Sequence, residues 1–317
     1  SIGGLDSVNN GGYDGFVIKT DTAGKLVAGG LYGGKANDFF QGVDILRSSG
    51  RVVVIGTFKS PDLSNNFSSS QYGYQLNGYS TTNTAPPSDA FILSTGSGLD
   101  VQWGRYFGGS GLESGYSVRI NQVDSSIFIC GATASTDTIN FNAQLEFTLN
   151  KFLNATVAST NNTDGFIGSL NPKGALIWSR YYGGDKPDLL KNIVVDERGY
   201  IYVVGDFDSP NSVRYPNGLG SYNFLSGIIA TDSAWQKKWG GGTDGLFGKF
   251  DAKNGSRYWA SYAGGSGTET FWGVEVGLDG DLFISGSTNT DNQNPSVTNP
   301  VPIRKAISST LRGSADG

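Results

Sequence analysis

The sequence predicts an all-β fold of four-stranded antiparallel sheets, and three observations carry that prediction. Four segments open alike: Asp14-Gly15-Phe16-Val17-Ile18, Asp89-Ala90-Phe91-Ile92-Leu93, Asp164-Gly165-Phe166-Ile167-Gly168 and Asp244-Gly245-Leu246-Phe247-Gly248. They lie 75, 75 and 80 residues apart, and Asp316-Gly317 repeats the opening 72 residues further on. A glycine pair follows each opening after 19 or 20 residues, at Gly33-Gly34, Gly108-Gly109, Gly183-Gly184 and Gly264-Gly265. A third landmark, Gly56, Gly131, Gly205 and Gly286, ends an apolar run 22 or 23 residues past the first glycine of each pair. Self-similarity at a long fixed period marks a stack of like supersecondary units.

Each unit resolves into four strands. After Gly109, Tyr116–Asn121 alternates as strand A, and Gln122–Ser125 turns the chain. Ile127–Cys130 is continuously apolar, as a strand covered on both faces must be. Phe166–Leu170 forms strand C, Asn171-Pro172-Lys173-Gly174 supplies turn chemistry, and Ala175–Tyr182 closes the unit as strand D. The second strands elsewhere read Val52–Ile55, Tyr200–Val204 and Leu282–Ser285. Trp103, Trp178 and Trp259 stand five residues before their glycine pairs, with Ala28 in the first unit.

Such a sheet cannot bury both faces alone. Radial repetition solves that and leaves only short edges, so the expected architecture is a β-propeller; a β-helix has a far shorter period. Residues 35–109, 110–184 and 185–265 are then complete blades. Residues 14–34 and 266–286 are half blades, with a C-terminal insert at 287–317, all within one propeller region spanning 1–317. The halves either complete a closed four-blade ring or belong to a larger propeller. The segment preceding strand C recurs at 1–13 and 304–315, which favours the larger one. Inserts near 58–88, 133–163, 207–243 and 288–315 separate B from C and differ in sequence, as loops that carry function do.

Two stretches carry a family resemblance. Ser233-Ala234-Trp235-Gln236 with Gly240-Gly241-Gly242-Thr243-Asp244-Gly245-Leu246-Phe247-Gly248-Lys249-Phe250-Asp251 is one. Tyr181-Tyr182-Gly183-Gly184 with Val194-Val195-Asp196-Glu197-Arg198-Gly199-Tyr200-Ile201-Tyr202-Val203-Val204-Gly205 is the other. Both resemble the SBBP-type β-propeller repeat, and the likeness extends over essentially the whole chain. Ala28 and Ala90 depart from the pattern. The resemblance implies a secreted or cell-surface propeller and leaves the activity open.

Composition narrows the chemistry. Glycine is abundant (48 of 317 residues) while charged residues are only 16%, below the roughly 25% of ordinary soluble domains. The net charge of −5 comes without a basic run, so no nucleic-acid interface is expected. No stretch is long and apolar enough for a membrane helix. Beginning at Ser1 without a methionine or signal peptide, the chain is expected to be mature, excised or truncated. The absence of histidine removes histidine-based nucleophile systems and most transition-metal sites. The single cysteine, Cys130, in an apolar strand, is expected to be buried and inert. The glycine pairs join strand to strand, so they read as turns rather than phosphate loops.

What remains are carboxylates and aromatics. Eleven residues past each first glycine stand Asp44, Arg119, Val194 and Glu275, so this position of strand A varies in charge between apolar neighbours. Asp44, Arg119 and Glu275 are candidate ligand contacts, since two acids suffice for glycoside chemistry; a polar lining is the plainer reading. The recurring Asp14, Asp89, Asp164 and Asp244 each stand mostly alone, too few donors for calcium, and are expected to cap their own turns. Exposed aromatics of the inserts, Tyr72, Tyr74, Tyr79, Tyr215, Tyr222 and above all Trp235, are candidates for stacking on sugars. Asn66, Asn154, Asn161 and Asn254 head glycosylation sequons, to be used if the source is eukaryotic. No catalytic residue, metal or cofactor is expected. The expected function is a non-catalytic extracellular module of a surface layer, adhesin or appendage filament. Its partners are surface proteins, copies of itself, other domains of the same chain, or glycans. The alternatives are a carbohydrate-binding propeller and, behind it, a carboxylate-based glycosidase or lyase.

Overall fold

The computed structural model describes residues 9, 11–60, 88–108, 111–135, 163–184, 186–210, 212–216, 222–226 and 229–290. The regular elements among them are all strands, paired antiparallel. In chain order these are β1 (Gly15–Thr20), β2 (Leu26–Tyr32), β3 (Asp38–Leu46), β4 (Arg51–Phe58), β5 (Asp89–Thr95) and β6 (Val101–Phe107). Next come β7 (Glu113–Ile120), β8 (Ile127–Thr133), β9 (Asp164–Leu170), β10 (Leu176–Tyr182), β11 (Asp188–Val195) and β12 (Tyr200–Phe207). The last six are β13 (Ser212–Pro216), β14 (Tyr222–Ser226), β15 (Asp244–Asp251), β16 (Arg257–Ala263), β17 (Glu269–Val276) and β18 (Leu282–Thr288).

Three four-stranded sheets have the orders β3-β4-β5-β6, β7-β8-β9-β10 and β11-β12-β15-β16. The pairs β1–β2 and β17–β18 form two-stranded sheets of the same repeat, the first a C–D pair and the second an A–B pair. The insert between β12 and β15 is not wholly irregular. It holds the hairpin β13–β14, registered Ser212 to Ser226 through Pro216 to Tyr222.

Two compact units make up the chain: residues 1–148 with 168–178, and residues 149–167 with 179–317. In the first unit, β1–β2 packs on β3, and β3, β4 and β5 pack on β7. Tyr32, Val54, Phe58, Phe91, Leu93 and Tyr106 form one buried cluster there, with Val17 and Phe40 against it. In the second unit, β11, β12 and β15 pack on β17. Val194, Tyr202, Val204 and Val274 fill that interface, flanked by Phe247, Trp259, Phe271 and Ile284. The continuous apolar runs β4, β8 and β12 are buried because each sits mid-sheet with both faces covered.

The landmark glycines have a steric cause. Each A strand carries a β-bulge, seen as register shifts at Phe40/Gly42, Gly115/Ser117, Leu190/Asn192 and Phe271/Gly273. A methyl group on Gly56, Gly205 or Gly286 would lie inside 3.0 Å of the bulged strand's carbonyl oxygen, at Phe39, Leu189 and Thr270 respectively. The bulge twists strand A, and only glycine fits opposite it. The recurring tryptophans are packing residues: Trp103 is buried and donates its indole N–H to the Pro172 carbonyl at 3.2 Å. Trp178 and Trp259 pack on Phe128 and Phe247.

Candidate functional site

The acids that recur in every unit come together in pairs. Asp14 immediately precedes β1, and Asp89, Asp164 and Asp244 begin β5, β9 and β15, the C strands. Twenty-four or twenty-five residues later, Asp38, Glu113, Asp188 and Glu269 begin the A strands β3, β7, β11 and β17. Each pair therefore spans a C strand of one sheet and the A strand of the next. Between the two acids sits the first glycine of the pair. A methyl group on Gly33, Gly108, Gly183 or Gly264 would lie 3.0 Å or less from a carboxyl oxygen of both members. Glycine is required so that two carboxyls can share its surface.

One backbone bond, made four times, sets this geometry. The amides of Asp38, Glu113, Asp188 and Glu269 donate to the carbonyls of Tyr13, Ser88, Thr163 and Thr243 at 2.6, 2.7, 2.7 and 2.7 Å. The A-strand acid then accepts further donors. Asp38 takes the amides of Gly34, Lys59 and Ser60 at 2.8, 2.8 and 3.0 Å. Asp188 takes those of Gly184, Asp208 and Ser209 at 2.6, 3.0 and 3.1 Å. Glu113 takes the hydroxyls of Thr133 and Ser135 at 2.7 and 2.5 Å. Glu269 takes the Gly265 amide at 2.6 Å and the Thr288 hydroxyl at 2.5 Å.

Those donors hold the A-strand acid as a carboxylate, and the C-strand acid beside it keeps its proton. Both are out of water: Asp38, Asp89, Glu113, Asp164, Asp188, Asp244 and Glu269 are all buried. Two carboxylates this close, with burial disfavouring charge, cannot both ionise. Burial, then the charge of Glu113 and its hydrogen bond, push Asp89 up to about 8. Burial and Glu269 raise Asp244 to about 7. The Asp164–Asp188 pair also holds a proton to about 7, chiefly through burial; the three amides on Asp188 place it on Asp164. In the pairs at Gly108 and Gly264, one oxygen of Asp89 and one of Asp244 are buried without a hydrogen-bond partner. The expected turn cap is found at Asp244, which accepts the Gly240 amide at 2.8 Å; the wider role is this pairing.

Chemically, a proton shared by two carboxyls activates water when a cleft exposes it. Here the glycine and the strand ends cover both acids, so the pair serves as a sheet-to-sheet joint. Among the described residues no three potential metal-ligating side chains cluster together, and no helix is long and apolar enough to cross a membrane.

The charge-variable position of strand A behaves differently. Asp44 is half-buried and bridges sheets: its carboxylate accepts the Ile120 amide of β7 at 2.7 Å and the Ile45 amide at 2.8 Å. Arg119, beside Ile120, donates to the Val118 carbonyl at 3.0 Å. Val194 is buried and Glu275 is exposed on β17. The structure thus places Asp44 and Arg119 along neighbouring first strands of one unit, and Glu275 on the other unit. Trp235 is 61% exposed. Its neighbour Gln236 is fastened, donating to Asp244 at 3.1 Å and accepting the Gly264 amide at 3.1 Å. Asn254 is exposed in the β15–β16 turn, its side-chain oxygen accepting the Ser256 amide at 2.8 Å. Asn66, Asn154, Asn161, Tyr72, Tyr74 and Tyr79 lie outside the described residues, as do the side chains of Tyr215 and Tyr222. Cys130 is buried, and burial pushes its thiol far up.

The A-strand acids were missed in the sequence, although their signal was present. An acid stands five residues past the first glycine in all four units. Its identity alternates between Asp and Glu, which hides the repeat from a search for one residue type. No protein-family model matches the chain, and no curated protein matches it.

Proposed function

We propose that the chain is a non-catalytic structural and interaction module, its sheets being blades of a β-propeller of the SBBP type that works outside the cell. It would serve a surface layer, adhesin or appendage filament, with other surface proteins or further copies as partners. One observation carries this reading. The paired carboxyls that recur from unit to unit are buried and engaged in joining sheet to sheet, where no substrate reaches them. Asp44, the strongest single candidate for chemistry, is likewise engaged with backbone amides. Incubation with a panel of polysaccharides tests it. The module reading expects no turnover, and turnover abolished by Glu275→Ala would overturn it.

A second reading, a carbohydrate-binding propeller, is favoured by the exposed indole of Trp235 beside an anchored Gln236. Aromatic faces of this kind stack on apolar ligand surfaces while their polar edge stays wet. Glycan-array binding that is lost in Trp235→Ala would establish it over the first.

A further inference from the structure

The two-stranded sheets are deficient in complementary ways. In the complete sheets, the positions equivalent to Phe16 are Phe91, Phe166 and Leu246, all essentially inaccessible, whereas Phe16 is 62% exposed and Ile18 59%. The positions equivalent to Phe283 are Val53, Phe128 and Tyr202, all buried, whereas Phe283 is 66% exposed. β1–β2 is a C–D pair without its A–B pair, and β17–β18 is an A–B pair without its C–D pair. Each presents a strand edge of the kind that templates further pairing.

We infer that β18 of one copy pairs antiparallel with β1 of a second copy, completing a four-stranded sheet and joining the chains head to tail. This rests on the interaction-module reading and names its partner. The complete sheets give the register. Val54 faces Leu93, Gly56 faces Phe91 and Phe58 faces Asp89 across β4–β5, and Val204 faces Phe247 and Phe207 faces Asp244 across β12–β15. Transferred to the open edges, Thr288 meets Asp14, Gly286 meets Phe16, Ile284 meets Ile18 and Phe283 meets Lys19.

That register covers what is exposed. Directly opposed residues share a sheet face, so Phe16 and Ile18 fall on the face of Ile284. That face already packs on the Val194, Tyr202 and Val204 cluster of β11-β12-β15-β16. Phe283 falls on the face of Val17, which packs on the Tyr32 and Phe91 cluster of β3-β4-β5-β6. Each exposed aromatic therefore receives the sheet its equivalents already have. The two patches differ, so the contact is heterologous and every added copy presents the same open edges again.

Sedimentation velocity tests this. The wild-type coefficient should rise with concentration. Phe16→Glu with Ile18→Glu blocks one edge, and Phe283→Glu blocks the other; these side chains are exposed, so both variants should keep the wild-type circular dichroism. Each variant alone should stay monomeric, and an equimolar mixture should stop at a dimer, because one good edge of each kind remains. A wild type monomeric at all concentrations overturns the proposal, as does a variant that associates with itself. Protection of the β1 and β18 amides from hydrogen exchange in a monomer would place the pairing within one chain, and overturns it too. None of these touches the module reading, which falls to polysaccharide turnover instead.

Discussion

The joints at Gly108 and Gly183 do the same work with different chain lengths. At Gly183, Asp188 pairs across the ladder with Phe207 and its short carboxylate binds main-chain amides. At Gly108, Glu113 pairs across the ladder with Thr133, and its longer arm reaches two hydroxyls. The other two joints follow suit: Asp38 faces Phe58, and Glu269 faces Thr288. Asp goes with Phe and Glu goes with Thr in all four. An aromatic ring offers no donor, so the acid beside it must be short enough to reach the amides beyond the strand end. A threonine offers a hydroxyl, and one more methylene is needed to meet it. The difference teaches that what is retained is a fully hydrogen-bonded carboxylate beside a protonated one, not a particular residue.

The largest expected effect is on pH dependence. The folded-state values of Asp89, Asp188 and Asp244 lie above the ordinary 3.8. The joints therefore contribute fully at acid pH, below about 4, and lose that contribution as pH rises through about 7 and about 8. A tenfold change in a group's acidity on folding is worth at most roughly 1.4 kcal/mol, and less where water screens the pair. Stability should accordingly fall by several kcal/mol from pH 4 to pH 9 in thermal melts. Asp89→Asn should remove the step near pH 8 and leave the one near 7, separating the two kinds of joint. A melting temperature flat across that range would break the shared-proton account.

Next in size is overpacking. Gly108→Ala and Gly183→Ala should each cost about 3 kcal/mol in urea unfolding, because a methyl group would displace two buried carboxyls. Gly199→Ala, with open space around it but a φ of +83°, should cost only about 1–2 kcal/mol. Equal losses would show that backbone conformation, not the acid pair, demands the glycine.

Shortening the arm comes third. Glu113→Asp should leave the Thr133 and Ser135 hydroxyls short of their acceptor and cost about 2 kcal/mol. Smallest is Thr288→Val, which removes one hydroxyl donor to Glu269 and should cost about 1 kcal/mol. If Glu113→Asp proves neutral by denaturant titration, the matching of acid length to cross-strand partner has no energetic basis.

The strand pattern was legible because it is local. Alternation in β7, the unbroken apolar runs of β4, β8 and β12, and turns such as Asn171-Pro172-Lys173-Gly174 report the environment of each strand within a few residues. The bulges were legible only as their shadow, the glycine that ends each B run. The hairpin β13–β14 went unread, since Ser212–Pro216 carries a proline and no alternation to set it off from a loop. Asp44 stood out for its varying charge, but nothing local shows that its acceptor duty is to the Ile120 amide, 76 residues away.

From the sequence alone came the repeat, the all-β class, the grouping of strands in fours and the exclusion of histidine chemistry, because periodicity, turn residues and composition need no third dimension. The tertiary structure alone decided that Asp14, Asp89, Asp164 and Asp244 are halves of buried pairs. A carboxyl's proton depends on what lies against it, and here that is an acid from the next sheet.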